Sequence, residues 1–86
     1  MFEVILSRRV EKFLNDIHKT NLKLFNRFMQ SFDRLAENPF IAKALIGNLK
    51  GYYSYRTGDY RIIFEIDKKK SLVYIEKIAH RRIVYK

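Results

Sequence analysis

The sequence contains no cysteine and no tryptophan, and it has one proline and three glycines. The absence of cysteine excludes disulfides and thiolate metal sites, which often stabilise domains of this size. Scarce proline and glycine, together with a hydrophobic content of 48%, argue against a disordered chain. Because 86 residues can bury only one useful core, we expect a single domain spanning residues 1–86.

Long apolar runs are missing as well. Residues 1–9 contain an early acidic residue and too short an apolar stretch for a signal peptide. No segment approaches the roughly 20 consecutive apolar residues that a membrane span requires. We therefore expect a cytoplasmic protein that has no membrane partner.

Acidic residues are scarce relative to basic ones. The chain has 18 Lys and Arg against 9 Asp and Glu, a formal net charge of +9. Residues 1–49 carry 8 basic and 5 acidic side chains, whereas residues 50–86 carry 10 and 4. A field of this sign attracts polyanions. We expect an acidic partner that is bound mainly by the second half of the chain.

Periodicity in the first half predicts one strand followed by two helices. Residues 2–6 alternate as a strand does, and Ser7 then offers a hydroxyl that can cap a helix. Apolar residues recur at helical spacing over residues 10–17 and again over residues 25–36. Pro39 disfavours a helical residue before it and so ends the second helix.

In the second half the period changes to two, which predicts three strands. Apolar side chains alternate with mostly charged ones over residues 60–66, and further strands are expected at residues 52–56 and 72–79. The intervening turns predict an antiparallel three-stranded meander. Residues 40–51 show no clear period, and we assign no element to them.

This order of elements predicts an α+β fold in which both helices cover one face of the sheet and leave the other face open. Alternation along the strand predicted over residues 60–66 places Arg61 on the open face. If Val73 and Ile75 face the helices, then Tyr74, Glu76, Ile78 and His80 share the side of Arg61. Guanidinium and imidazole groups would then gather on one face of the sheet.

Two segments carry a family resemblance, YRTGDYRIIF at residues 55–64 and IAHRRIVY at residues 78–85, together with LKG at residues 49–51. They resemble the RelE/ParE family of toxins from toxin–antitoxin systems. The first half of the chain matches that family in layout only. The resemblance implies the strand, helical hairpin and meander described above. It also implies a cognate antitoxin with an acidic or amphipathic segment, and no metal or organic cofactor.

The sequence leaves three functions open, two of them within this family. RelE-like members enter the ribosomal A site and cut messenger RNA, making a ribose 2′-hydroxyl attack the adjacent phosphate, and this ribosome-dependent endoribonuclease activity inhibits translation. ParE-like members have the same fold but inhibit DNA gyrase by binding, without catalysis. For the first class the ribosome and messenger RNA are the partners, and DNA is reached only through the toxin–antitoxin complex. A basic nucleic-acid-binding module without toxicity is the third interpretation.

Such cleavage needs a proton acceptor, cations for the phosphorane, and an acid or water for the leaving oxygen. The resemblance assigns phosphate binding to Arg61, and a histidine at position 80 can exchange protons near neutral pH. The candidate catalytic residues are Arg61, His80, Arg81, Arg82 and Tyr85. Each also has a plain structural interpretation: a solvated arginine, a hydrogen-bonded histidine at a strand end, or a tyrosine that packs the chain end.

The candidate RNA-binding residues are Lys50, Arg56, Lys68, Lys69 and Lys70. Ordinary surface placement is the alternative for Lys50 and Arg56, and a solvated hairpin tip is the alternative for the three consecutive lysines.

The chain departs from the family pattern at residues 52–55. These residues are three tyrosines and a serine, whereas the best-known RelE pattern has lysines there. Proton transfer by lysine is therefore not implied. Because other branches of the family use histidine in place of such lysines, His80 remains the candidate for that role.

Overall fold

Two helices pack on one face of a mixed five-stranded sheet in the computed structural model, which describes residues 1–82. The elements in chain order are β1 (Glu3–Leu6), α1 (Arg8–Thr20), α2 (Leu22–Glu37), β2 (Lys43–Ala44), β3 (Tyr52–Thr57), β4 (Tyr60–Asp67) and β5 (Leu72–His80). Single turns of 3-10 helix at Pro39–Ile41 and Gly47–Leu49 flank β2. The predicted α+β order is confirmed.

The strands are arranged in the order β1-β5-β4-β3-β2, with β1 parallel to β5 and every other pair antiparallel. The predicted meander is therefore the centre of a wider sheet. Strand β2 lies in the segment to which the sequence assigned no element, because two residues are too short to show a period. It pairs only with Tyr53 and Ser54, so β3 is a sheet edge from Tyr55 onward.

Side-chain caps fix where the helices begin. The Ser7 hydroxyl accepts a hydrogen bond from the Val10 N–H at 3.3 Å and donates one to the Glu76 carbonyl at 2.8 Å. It therefore starts α1, as predicted, and also ties α1 to β5. The Asn21 side chain caps α2 by accepting from the Leu24 N–H at 3.1 Å. Neither helix in the described part of the chain is long and apolar enough to cross a membrane.

The core lies between the helices and the sheet, where the helical stripes meet the apolar row of β4. Burying both stripes against one face is what makes the pair of helices stable. Its fully buried side chains include Val10, Phe28, Leu35, Ile62, Phe64, Val73 and Ile75. The opposite side of the sheet, which the helices do not cover, is called the open face below.

A β-bulge in β5 reverses the alternation of its side chains. Phe64 pairs with Ile75, whereas Ile63 pairs with Lys77, so Glu76 has no residue opposite it on β4. Two residues of β5 thus face one residue of β4, as in a bulge. Beyond the bulge the side chains of β5 lie on the faces opposite to those that simple alternation predicts.

Candidate nucleic-acid interface

The open face carries two arginines directly opposite one another. Arg61 on β4 pairs with Arg56 on β3, and its neighbour on β5 is the short side chain of Ala79. Arg61 is half-buried and Arg56 is exposed. Among residues 1–82, no carboxylate lies within ion-pair distance of either guanidinium. Because like charges in this arrangement destabilise a sheet, this arginine pair, Arg56 and Arg61, is suited to an anionic ligand.

A buried hydroxyl lies beside the arginine pair. Ser54 is two residues from Arg56 on β3 and therefore on the same face, and its side chain is only 5% exposed. Its Oγ has no hydrogen-bond partner within the described part of the chain. Leaving such a group unsatisfied costs about 1–3 kcal/mol. The sequence interpretation missed Ser54, which it treated only as a departure from the family pattern.

Two lysines extend the positive surface around this hydroxyl. Lys43 is the partner of Ser54 on β2, and Lys77 is the partner of Ile63 on β5. Both lie on the side of the sheet that carries Arg61. The centre of the face is closed by short or apolar side chains, since Ile63 and Ala79 are buried there.

His80 lies on the other side of the sheet from Arg61. It pairs with Tyr60, and the two rings meet edge to face with their centroids 5.1 Å apart. Tyr60 in turn packs edge to face on Phe28 of α2 at 5.4 Å. Ile78 pairs with Ile62 and also lies on the helix side. The prediction that His80 and Ile78 share the side of Arg61 is therefore wrong, because the bulge shifts the alternation. The same prediction is right for Tyr74, which precedes the bulge.

The His80 imidazole also stabilises the end of β5. Its Nδ1 accepts a hydrogen bond from the Arg82 backbone N–H at 3.3 Å. This is the strand-end role that the sequence left as the alternative for this residue. The Arg82 side chain is exposed.

Arg81 connects the end of β5 to the turn between β3 and β4. Its backbone N–H donates to the Asp59 carbonyl at 2.6 Å, and its side-chain Nε lies 3.7 Å from the Asp59 carboxylate. Both side chains are more than half exposed, at 55% and 62%. An ion pair in such a position contributes at most about 1 kcal/mol. Tyr85, the last candidate catalytic residue, lies outside the described residues.

The predicted RNA-binding residues do not form one surface. Lys68, Lys69 and Lys70 lie in the turn after β4, roughly 20 Å along that strand from Arg61. Lys68 Nζ lies 5.3 Å from the centroid of the Phe40 ring, and the Lys70 N–H donates to the Asp67 carboxylate at 3.1 Å. Lys50 precedes β3 at the same end of the sheet. Only Arg56 accompanies Arg61.

The part of the open face nearest these lysines has a different chemistry. A cleft of about 450 Å³ is lined there by side chains of mixed character: apolar ones such as Ile5, the carboxylates of Glu65 and Asp67, and the ammonium groups of Lys68 and Lys69. Within residues 1–82, no three His, Asp or Glu side chains are grouped as a metal site would require. Of the two ends of the open face, the end with the arginine pair is the one suited to phosphate.

The family described as the ParE toxin of type II toxin–antitoxin systems, parDE, matches residues 4–85. The match covers nearly the whole chain, including both halves of the sheet. The chain belongs to this family, and it is thus a toxin of a type II toxin–antitoxin system in the RelE/ParE superfamily.

Relatives support the same assignment. Toxin RelG from Mycobacterium tuberculosis is 30% identical over 73 residues, which cover 83% of this chain and 84% of the relative. A chain of the toxin–antitoxin complex RelBE2 from the same organism superposes with a TM-score of 0.79 at 27% identity, covering 93% of this chain and 98% of that one. A chain of the archaeal RelE–RelB complex from Pyrococcus horikoshii gives 0.78 at 25% identity, with coverages of 96% and 98%.

Proposed function

We propose that this toxin is a ribosome-dependent endoribonuclease that cuts messenger RNA and thereby inhibits translation. The observation that supports the proposal is the arginine pair, with two uncompensated guanidinium groups opposite each other and the orphaned Ser54 hydroxyl beside them. A guanidinium donates two parallel hydrogen bonds to phosphate oxygens. The resemblance to RelE-like toxins gives the substrate class, and the similarity to Toxin RelG supports the assignment to the toxin family.

In the proposed reaction the ribose 2′-oxygen forms a bond to the adjacent phosphorus, and the bond from phosphorus to the 5′-oxygen breaks. The 2′-hydroxyl gives its proton to a water molecule and the leaving 5′-oxygen takes a proton from another, so the products are a 2′,3′-cyclic phosphate and a 5′-hydroxyl. Arg61 holds the non-bridging oxygens and stabilises the charge of the phosphorane. Arg56 holds a neighbouring phosphate.

The position of His80 changes the mechanism that the sequence suggested. An imidazole on the helix side of the sheet does not reach a phosphodiester held at Arg61 on the open face. The protein's contribution in this proposal is therefore charge stabilisation and positioning of the message. Dependence on the ribosome fits this limited role of the protein, because in the proposal the ribosome fixes the message in an extended, reactive geometry.

The partners in this proposal are the ribosome, its message and a cognate antitoxin in the cytoplasm. Two of the similar solved structures are complexes of a toxin with its antitoxin. A net charge of +9 favours an antitoxin whose binding segment is acidic or amphipathic. By covering the open face, such a segment would keep the arginine pair from the message.

The test uses purified protein, purified ribosomes and a defined message whose ends are mapped. We expect cuts at codon-defined positions only when ribosomes are present, with cyclic phosphate on the upstream fragments. A message that carries a 2′-O-methyl group at the cut position is the matched control and should remain intact. Uncut messages on programmed ribosomes would contradict the proposal.

Inhibition of DNA gyrase by binding is the second candidate. Two observations favour it: the matching family is that of ParE toxins, and the arginine pair has no imidazole on its side of the sheet within residues 1–82. Supercoiling by purified gyrase should be measured with the same protein preparation. Blocked supercoiling together with intact messages would select this candidate over the nuclease.

A further inference from the structure

A second basic groove lies on the helix side of the sheet. It runs between α2 and the edge of β3 and has a volume of about 310 Å³. It is lined by Arg27, Gln30, Ser31, Arg34, Tyr55 and residues 56–58. The sequence interpretation gave no role to the two arginines of α2, although a spacing of seven residues places them on one helical face.

Contacts hold the three arginines of the groove in place. Arg34 Nη1 donates to the Tyr55 hydroxyl at 3.5 Å. Arg56 Nε donates to the Gly58 carbonyl at 3.5 Å. The Arg27 guanidinium lies so close to the same turn that a Cβ at Gly58 would be 2.6 Å from its Nη1. Two guanidinium groups therefore contact one glycine.

The charges in the groove are not compensated within the described part of the chain. Its lining includes three arginines and no carboxylate, and none of these guanidinium groups has an acidic partner within 4.0 Å among residues 1–82. Like charges brought this close create a local field that attracts an anion. The groove is therefore a site for a negatively charged ligand.

The groove is continuous with the open face. Arg56 pairs with Arg61 across the sheet and also contacts Gly58 beside Arg27. Arg56 can join the two faces because β2 pairs with β3 only as far as Ser54, which leaves the edge of β3 free from Tyr55 onward. Four arginines, at positions 61, 56, 27 and 34, thus form a strip that passes around the edge of the sheet. We call it the arginine strip.

We propose that the groove binds the phosphate backbone of single-stranded RNA, next to the segment held at Arg61. The choice of RNA as the polyanion rests on the proposed function. Arg27 and Arg34 are about 10 Å apart along the helix axis, so they hold different phosphates of one strand. A docked protein segment would bury apolar side chains at the centre of its interface. The groove lining offers one aromatic side chain, Tyr55, and therefore favours RNA over a protein segment.

The test measures binding of a short 2′-O-methyl RNA, which cannot be cleaved by 2′-hydroxyl attack, by fluorescence anisotropy over a range of salt concentrations. The groove variant is Arg27→Gln with Arg34→Gln. The matched control is Lys12→Gln with Lys19→Gln, which removes two charges at the same spacing from exposed positions on α1. Each phosphate contact on a single strand contributes about 0.7 to the slope of log K against log salt.

We expect the groove variant to lower the steepness of that slope by about 1.4 and the control to leave it unchanged. An unchanged slope in the groove variant, or an equal loss in the control, overturns the proposal. So does a groove variant that loses affinity for a polyglutamate peptide while its RNA slope is intact. If the wild-type protein cuts no message but the groove variant still shows the reduced slope, the proposed nuclease function fails and the groove assignment stands.

Discussion

The two ends of β4 carry similar numbers of positive charges but differ in the side chains that surround those charges. At the Lys68 end, the lysines project from a turn, and Asp67 and Glu65 lie on the adjoining open face. At the Arg61 end, two guanidinium groups face each other and no carboxylate within residues 1–82 pairs with them. Lys68, Lys69 and Lys70 also have no carboxylate within 4.0 Å among residues 1–82, so the ends differ in the acidic side chains nearby and in the pairing of the two guanidinium groups. The density of positive charge in the sequence therefore does not locate the site.

The chemistry of the two side chains strengthens this contrast. An ammonium group is compact and strongly hydrated, so a lysine on an exposed turn needs no protein partner. A guanidinium is less strongly hydrated and presents a planar set of donors. The half-buried Arg61 has therefore given up part of its hydration without a carboxylate to replace it. Phosphate oxygens would complete that shell.

The largest effect is expected for Arg61→Ala. If Arg61 stabilises the phosphorane as proposed, its loss should lower the rate of message cleavage on ribosomes by roughly 100- to 1,000-fold. The free energy of unfolding should stay equal or rise, because the like-charge pair with Arg56 is removed. Lys69→Ala at the opposite end of β4 is the matched control. Cleavage within tenfold of wild type by the Arg61 variant would mean that the two ends of the strand are equivalent.

The fold was predictable from the sequence wherever one element shows its own period. The helical stripes and the alternation of β4 are local patterns, and the open-face position of Arg61 follows from β4 alone because that strand contains no extra residue. The bulge at Glu76 is different. The Ser7 hydroxyl binds the Glu76 carbonyl across 69 residues of sequence, and no local pattern encodes such a contact. The prediction for His80 failed for this reason.

The site was predictable only in part for a similar reason. Family resemblance identified Arg61, but the missing partner of Ser54 is a property of its buried surroundings. Arg27 and Arg34 are ordinary exposed helix residues in the sequence and become part of a strip only because the edge of β3 lies beside α2. Uncompensated charge is a tertiary feature, and periodicity does not report it.

The next largest effect is on the free energy of unfolding, and it concerns the turns at the two ends of β4. Gly58 has a φ of +59° and Ser71 has one of +55°. A side chain at such a φ costs about 1–2 kcal/mol, and at Gly58 it would also meet Arg27. We expect Gly58→Ala to lower the free energy of unfolding by at least that amount in urea titrations.

The matched substitution is Ser71→Gly at the other turn. Relief of the same strain is offset there by the conformational entropy of glycine, about 0.5–1 kcal/mol, so the change should be small. Equal destabilisation by the two variants would contradict the expectation that a side chain at Gly58 is strained.

A smaller effect is expected for His80. It pairs with Tyr60, the neighbour of Arg61, but lies on the helix side of the sheet. His80→Ala removes the edge-to-face contact with Tyr60 and should cost about 0.5–1.5 kcal/mol of stability. His80→Phe retains a ring and should recover most of that loss in thermal unfolding. Both folded variants should cleave messages within tenfold of wild type. A stable His80→Phe protein as inactive as Arg61→Ala would restore the imidazole to the mechanism.

The smallest effect is expected when Lys68, Lys69 and Lys70 are all replaced by Gln. This lowers the formal net charge from +9 to +6, yet these residues lie roughly 20 Å from Arg61, more than two Debye lengths of about 8 Å at 0.15 M salt. Cleavage at that ionic strength should stay within about threefold of wild type, because screened charges at this distance contribute little. At about 0.01 M salt the Debye length grows to about 30 Å, and the variant should then associate with ribosomes more slowly. A large loss at both ionic strengths would place a direct contact at the lysine end and remove the distinction between the two ends of β4.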